Sequence, residues 1–207
     1  KERMAALFRE REFLQAFTPP ADDAGRKELL ASWHKRKSAL YQDIVNTGRI
    51  PPRSGVKRLC EEALARDWKL AVASTSAQPS VEAMLRRAVG DEIFSRFSAI
   101  LGGDIVPNKK PAPDIYLLAA ERLSVAPADC VVIEDSNNGL RAALAAGMQC
   151  VVTVSGYTRE EDFTGAAMVL TCLGDPEGEP GNVLANSSRA RPQGYLSCAA
   201  LESVLGS

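Results

Sequence analysis

From Trp68 onward, short and fully apolar runs alternate with amphipathic stretches. The runs are "WKLAVAS", "FSAILGG", "CVVIED" and "QCVVTV", and between them the spacing predicts helices over 79–89, 113–123 and 136–146. Strands that are apolar at every position, rather than at every second one, belong to a parallel sheet covered on both faces. The expected fold class is therefore α/β, a doubly wound, parallel, Rossmann-like sheet. The first part of the chain follows another rhythm. From Lys1 to about Asn46 it shows helical patterning only, and "RKELLASWHKRKSALYQDIV" places Leu29, Leu30, Trp33, Leu40, Tyr41 and Ile44 near one stripe. "RIPPRSGV" breaks that pattern, because Pro51 and Pro52 disfavour helix before them, and Ser54 can cap the next helix in "GVKRLCEEALARD". A hinge is expected near residues 48–54. Beyond Leu173 the sequence is rich in Gly, Pro and Ser and loses its period, which predicts a loose tail with room for one short terminal helix. The expected organisation is a helical unit over 1–50, an α/β core over 51–173 and the tail over 174–207.

Composition narrows the class of function more than it changes the fold. A chain of 207 residues with 45% hydrophobic and 25% charged residues can bury a core, which excludes disordered and fibrous classes. A net charge of -1 supplies no field that would hold nucleic acid or an anionic membrane. No apolar run approaches the roughly 18 residues of a membrane span, so neither partner is expected. Five cysteines without CxxC spacing indicate neither a zinc site nor a disulfide framework. The opening "KERMAALFRE" reads as a helix already under way, so the chain is expected to be part of a longer one, which could carry a targeting peptide.

In open α/β sheets ligands bind beyond the carboxyl ends of the strands, and three such ends carry polar residues. After "AVA" come Ser74, Thr75 and Ser76. Hydroxyls and free backbone N–H groups before a helix can grip a phosphate, or Ser76 can be an ordinary N-cap. In "NKKPAPDIY" the prolines hold Lys109 and Lys110 extended before a helix, presenting two ammonium groups that are either functional or solvated. In "VVIEDSNNG", Glu134 and Asp135 end an apolar run, and Ser136 or Asn137 can cap the following helix. Two carboxylates at the mouth of a buried strand are costly to ionise without a counter-charge. A magnesium ion would supply one, with water and phosphate oxygens completing its shell. The alternative is a capping Asp beside an exposed Glu.

The order Ser/Thr, Lys, acidic pair resembles motifs two, three and four of the haloacid dehalogenase superfamily of phosphohydrolases, carried by "VASTS", "KKPAPDIY" and "VVIEDSNNG". Within it, "KERM", "HKRK", "VVTVSGYTREEDF" and "CLGDP" resemble the CbbY-type branch near β-phosphoglucomutase, as found in plant and algal plastids. The resemblance covers residues 1 to about 175 and implies a helical cap domain, Mg²⁺ and a small sugar-phosphate substrate, namely xylulose 1,5-bisphosphate. It also implies a monomer in the chloroplast stroma. Implied roles are catalysis for Ser74 and Lys110, substrate contacts for Thr75, Ser76, Lys1 and Lys37, and metal ligation for Glu134 and Asp135. The family's first motif, which carries the nucleophilic Asp, has no counterpart in this sequence and is expected upstream. A phosphosugar mutase and a non-catalytic binding protein remain the alternatives.

Overall fold

The apolar runs fold as strands and the amphipathic stretches as the helices between them. The computed structural model describes residues 5–47, 51–103 and 105–206. The chain divides into two units, Lys1–Ile50 and Pro51–Ser207. In the first unit a short 3-10 turn, Leu7–Arg9, precedes helices α1, Arg11–Ala16, and α2, Asp23–Asn46. Its packing is aromatic. Phe8, Phe13 and Phe17 lie against Trp33 with ring centroids 5.3–6.0 Å from the indole. The expected stripe along α2 is only partly used: Leu30 and Trp33 are half-buried, while Leu40 and Ile44 are exposed. Ring-on-ring contacts, not a ladder of aliphatic side chains, hold this unit together.

The second unit runs α3 (Val56–Ala65), β1 (Ala71–Ala73), α4 (Gln78–Phe94), β2 (Ala99–Leu101), α5 (Asp114–Leu123), β3 (Val131–Glu134), α6 (Asn137–Ala145), β4 (Gln149–Thr153), β5 (Met168–Leu170), β6 (Val183–Asn186) and α7 (Cys198–Leu205). Gly90 leaves the helical conformation inside α4, at φ 84° and ψ 164°, which is where the sequence pattern ends that helix. β1 pairs in parallel with β2, and β3, β4 and β5 pair in parallel in that order. β6 closes the far side antiparallel to β5. Among the described residues no strand lies between β1 and β3, so each keeps one open edge. A single apolar cluster nevertheless spans both pieces of sheet, joining Leu101, Ile115 and Tyr116 to Leu140, Cys150 and Val152.

Two expectations fail here. Ser54 does not cap α3: the cap is Gly55 at φ 82°, and the Ser54 hydroxyl donates to Glu179 O at 2.9 Å. A Cβ on Gly55 would lie 2.3 Å from Gly174 O, so this close approach requires glycine. Nor is the segment from 174 to 207 a loose tail. It supplies β6 and α7, and Leu196, Cys198, Leu201 and Val204 are buried against Met168 and Leu170. Its irregular backbone is satisfied by side chains of α3. Arg58 donates to Gly174 O (3.0 Å) and Leu196 O (2.8 Å), and Glu62 accepts from Cys198 N (3.0 Å). Composition alone cannot reveal such partners, because they lie more than a hundred residues away in the chain.

Candidate active site

Lys110 lies between the two pieces of sheet at their carboxyl ends. Its three ammonium protons meet Ala73 O at the end of β1 (3.0 Å), Tyr116 Oη (2.8 Å) and Glu134 Oε1 at the end of β3 (2.5 Å). The ammonium also lies 4.4 Å from the Tyr116 ring centroid. The pair is largely withdrawn from solvent, with the Lys110 and Glu134 side chains 12% and 9% exposed. A buried pair of this kind contributes little net stability, but removing one partner strands a charge.

Every oxygen of the Glu134 carboxylate is engaged. Oε1 accepts from Lys110 and from the Tyr116 hydroxyl, and Oε2 accepts from Asp135 N at 3.0 Å. Burial, followed by the negative charge of Glu134, pushes the Tyr116 hydroxyl far up in pKa, so it remains a donor. The carboxylate lies against the first turn of α6, where a Cβ on Gly139 would overlap it at 1.9 Å. The glycine five residues after Glu134 is therefore the space the carboxylate occupies. Ser136 caps α6 by accepting from Gly139 N at 3.3 Å, one of the two caps considered from the sequence.

Asp135 is exposed at the mouth, and no ion pair to its carboxylate is formed by the described residues. Partial burial and the neighbouring charge of Glu134 raise its pKa, against the attraction of Arg53 and Lys110. An aspartate in this position gains from a cation. The acidic pair fits a hard divalent ion, with Asp135 open to it and the charge of Glu134 shared with Lys110 inside the protein. Among the described residues no third His, Cys, Asp or Glu joins the pair, so water, phosphate or another segment would complete the shell.

At the end of β1, Ser74 N donates to Leu101 O (2.8 Å), and the Ser74 hydroxyl accepts from Ser76 N (3.2 Å). Thr75 and Ser76 are exposed. Ser76 is not the N-cap of α4; that position is Ala77, with no side-chain cap. No hydrogen bond from the Thr75 N–H to a described residue is formed, which leaves this turn with a donor to offer an anion. Ser74, Lys110, Glu134 and Asp135 are thus brought to the same end of the sheet. Lys109 is exposed. Lys37 is exposed on α2, where it lines with Trp33, Arg36, Leu40 and Ile44 an open depression of about 380 Å³. Lys1 lies outside the described residues.

Two residues of the site escape sequence reasoning. Tyr116 stands inside "KKPAPDIY", but it reads there as one more apolar position of α5. Arg53 reads as an ordinary linker charge, yet its guanidinium donates to Thr153 O (3.0 Å), Thr153 Oγ1 (3.1 Å), Val154 O (2.7 Å) and Thr171 O (2.7 Å). It thereby fixes the start of the second unit to the carboxyl ends of β4 and β5, beside Asp135.

A parallel sheet flanked by helices thus carries a buried lysine and an acidic pair at its carboxyl end. The family model of the haloacid dehalogenase-like hydrolases matches residues 2–147, and the chain belongs to that family, in its CbbY-type branch. The Arabidopsis thaliana "CBBY-like protein" is 46% identical over 179 residues, covering 86% of this chain and 55% of that protein. "Protein CbbY" of Cereibacter sphaeroides is 39% identical over 181 residues, covering 87% of this chain and 74% of that protein. The solved structure of a CbbY variant from Rhodobacter sphaeroides, in complex with Xylulose-(1,5)bisphosphate, is 38% identical with a TM-score of 0.68, covering 83% of this chain and 72% of that one. The chain spans little more than half the length of the Arabidopsis relative.

Proposed function

We propose that this chain forms the greater part of a Mg²⁺-dependent phosphatase, monomeric and plastid-stromal, that hydrolyses a small sugar phosphate, xylulose 1,5-bisphosphate, through an aspartyl-phosphate. The observation that carries this reading is the position of Lys110, which reaches from the end of β1 to the end of β3 across two open strand edges. A strand carrying the nucleophilic Asp at its carboxyl end, placed between those edges, would deliver that Asp beside Lys110. The relative solved with Xylulose-(1,5)bisphosphate supports the substrate class.

The chain's own residues supply positioning and charge. The Ser74 hydroxyl and the Thr75 N–H hold the phosphoryl oxygens, with Ser76 on the same turn, and Lys110 offsets negative charge shared by nucleophile and phosphate. Asp135 with Glu134 would hold Mg²⁺. When bound, the ion neutralises charge on the equatorial phosphoryl oxygens. The helical unit would serve as the family's cap domain.

The test is phosphate release from a pentulose bisphosphate with Mg²⁺, by the chain alone and by the chain joined to a strand bearing the family's first motif. Release is expected only from the joined protein, at least a hundred-fold slower in Lys110→Ala and lost in EDTA. Appearance of the phosphate on a second sugar hydroxyl would make the protein a mutase. Release that survives both Lys110→Ala and EDTA would overturn the reading.

A further inference from the structure

We propose that Tyr116 is a positioning residue, whose hydroxyl locks Glu134 and Lys110 into one arrangement. The hydroxyl stands between the two charges, accepting from Lys110 Nζ and donating to Glu134 Oε1. A hydroxyl can fill both roles at once; neither a phenylalanine nor a second charge can. The ring beneath it is buried in the cluster that joins both pieces of sheet, so the hydroxyl is held by the core rather than by a loop.

The consequence concerns where Lys110 can go. A lysine side chain has four rotatable bonds, and a lone ion pair to Glu134 would leave the ammonium free to swing about the carboxylate. With three acceptors in fixed directions, Ala73 O, Tyr116 Oη and Glu134 Oε1, the ammonium has one position. Glu134 is held in the same way, by Lys110 and Tyr116 on one oxygen, the Asp135 N–H on the other and the open face of Gly139 behind. Removing only the Tyr116 hydroxyl leaves both side chains one partner short while the packing of the ring is unchanged.

The experiment is pulse acetylation of the 207-residue chain, read by mass spectrometry at Lys110 and at Lys57, a lysine on the exposed face of α3. In Tyr116→Phe, Lys110 is expected to label about ten-fold faster or more, the loss of one charged hydrogen bond from its closed state, with Lys57 unchanged. An unchanged Lys110 rate overturns the proposal, and so does a rise shared by Lys57, which would report loosening of the whole fold. Only the catalytic consequence rests on the phosphatase reading: in the joined protein Tyr116→Phe should lower kcat and leave KM in place. A wild type that releases no phosphate would sink that reading and leave the labelling result standing.

Discussion

β3 and β4 are neighbours in one sheet, built from nearly the same residues, "VVIE" and "QCVVT", yet they live in different surroundings. β4 is paired on both sides and Cys150–Thr153 are buried. Among the described residues β3 is paired on one side, and Ile133 is 37% exposed. The same contrast separates β5, sealed by β6 and α7, from β1, which is half-buried along its whole length. Lys110, Glu134, Asp135 and Ser74 lie at the carboxyl ends of β1 and β3, where among the described residues no strand pairs the facing edges, and side-chain hydrogen bonds hold Lys110 and Glu134 in place.

The strongest way to disturb these strand ends is to break the ion pair there. Lys110→Met should cost about 3–5 kcal/mol in urea unfolding because Glu134 is left charged and shielded. Lys110→Met combined with Glu134→Gln should recover most of that; equal losses in single and double variants would mean that the pair is not coupled. Next in size is the contrast itself. Leu170→Ala, on the sealed β5, should cost about 2–5 kcal/mol, and Ile133→Ala on β3 only about 1 kcal/mol, since less of its side chain leaves water on folding. Comparable costs would show that the β3 edge is already covered.

A third variant, Glu62→Ala, removes the acceptor of Cys198 N and the ion-pair partner of Arg58, and should cost about 1.5–3 kcal/mol. It should also open the 174–207 segment to limited proteolysis before the rest of the core. The smallest effect belongs to Asp135. Its folded pKa is raised, so the folded state holds this proton more tightly than the unfolded one, and the group favours folding below about pH 3.9 and loses that contribution as pH rises through the folded value. In metal-free buffer Asp135→Asn should therefore melt about 1 °C higher than wild type at pH 7. The gap should close below pH 4, and a wild type that gains on the variant as pH rises would reverse the sign.

Much of this molecule is determined by its sequence alone. Four of the six strands among the described residues, and the helices between them, are legible because parallel strands buried on both faces must be apolar at every position. The motifs around Ser74, Lys110 and Glu134–Asp135 stand out in the sequence through their family resemblance, and the structure brings them to one end of the sheet. β5 and β6 are not legible: "MVL" is too short to separate from its surroundings, and "VLAN" stands in a stretch whose composition reads as loop. The ordered C-terminal segment and the four hydrogen bonds of Arg53 were decided only by tertiary structure. Each depends on a polar group meeting a partner a hundred or more residues along the chain, and the direction of a hydrogen bond across such a distance leaves no periodic mark on either segment. Even the difference between Glu134 and Asp135 is tertiary. They are adjacent in sequence and alike in chemistry, and only the positions of Lys110, Tyr116 and Gly139 shield the one while the other is exposed.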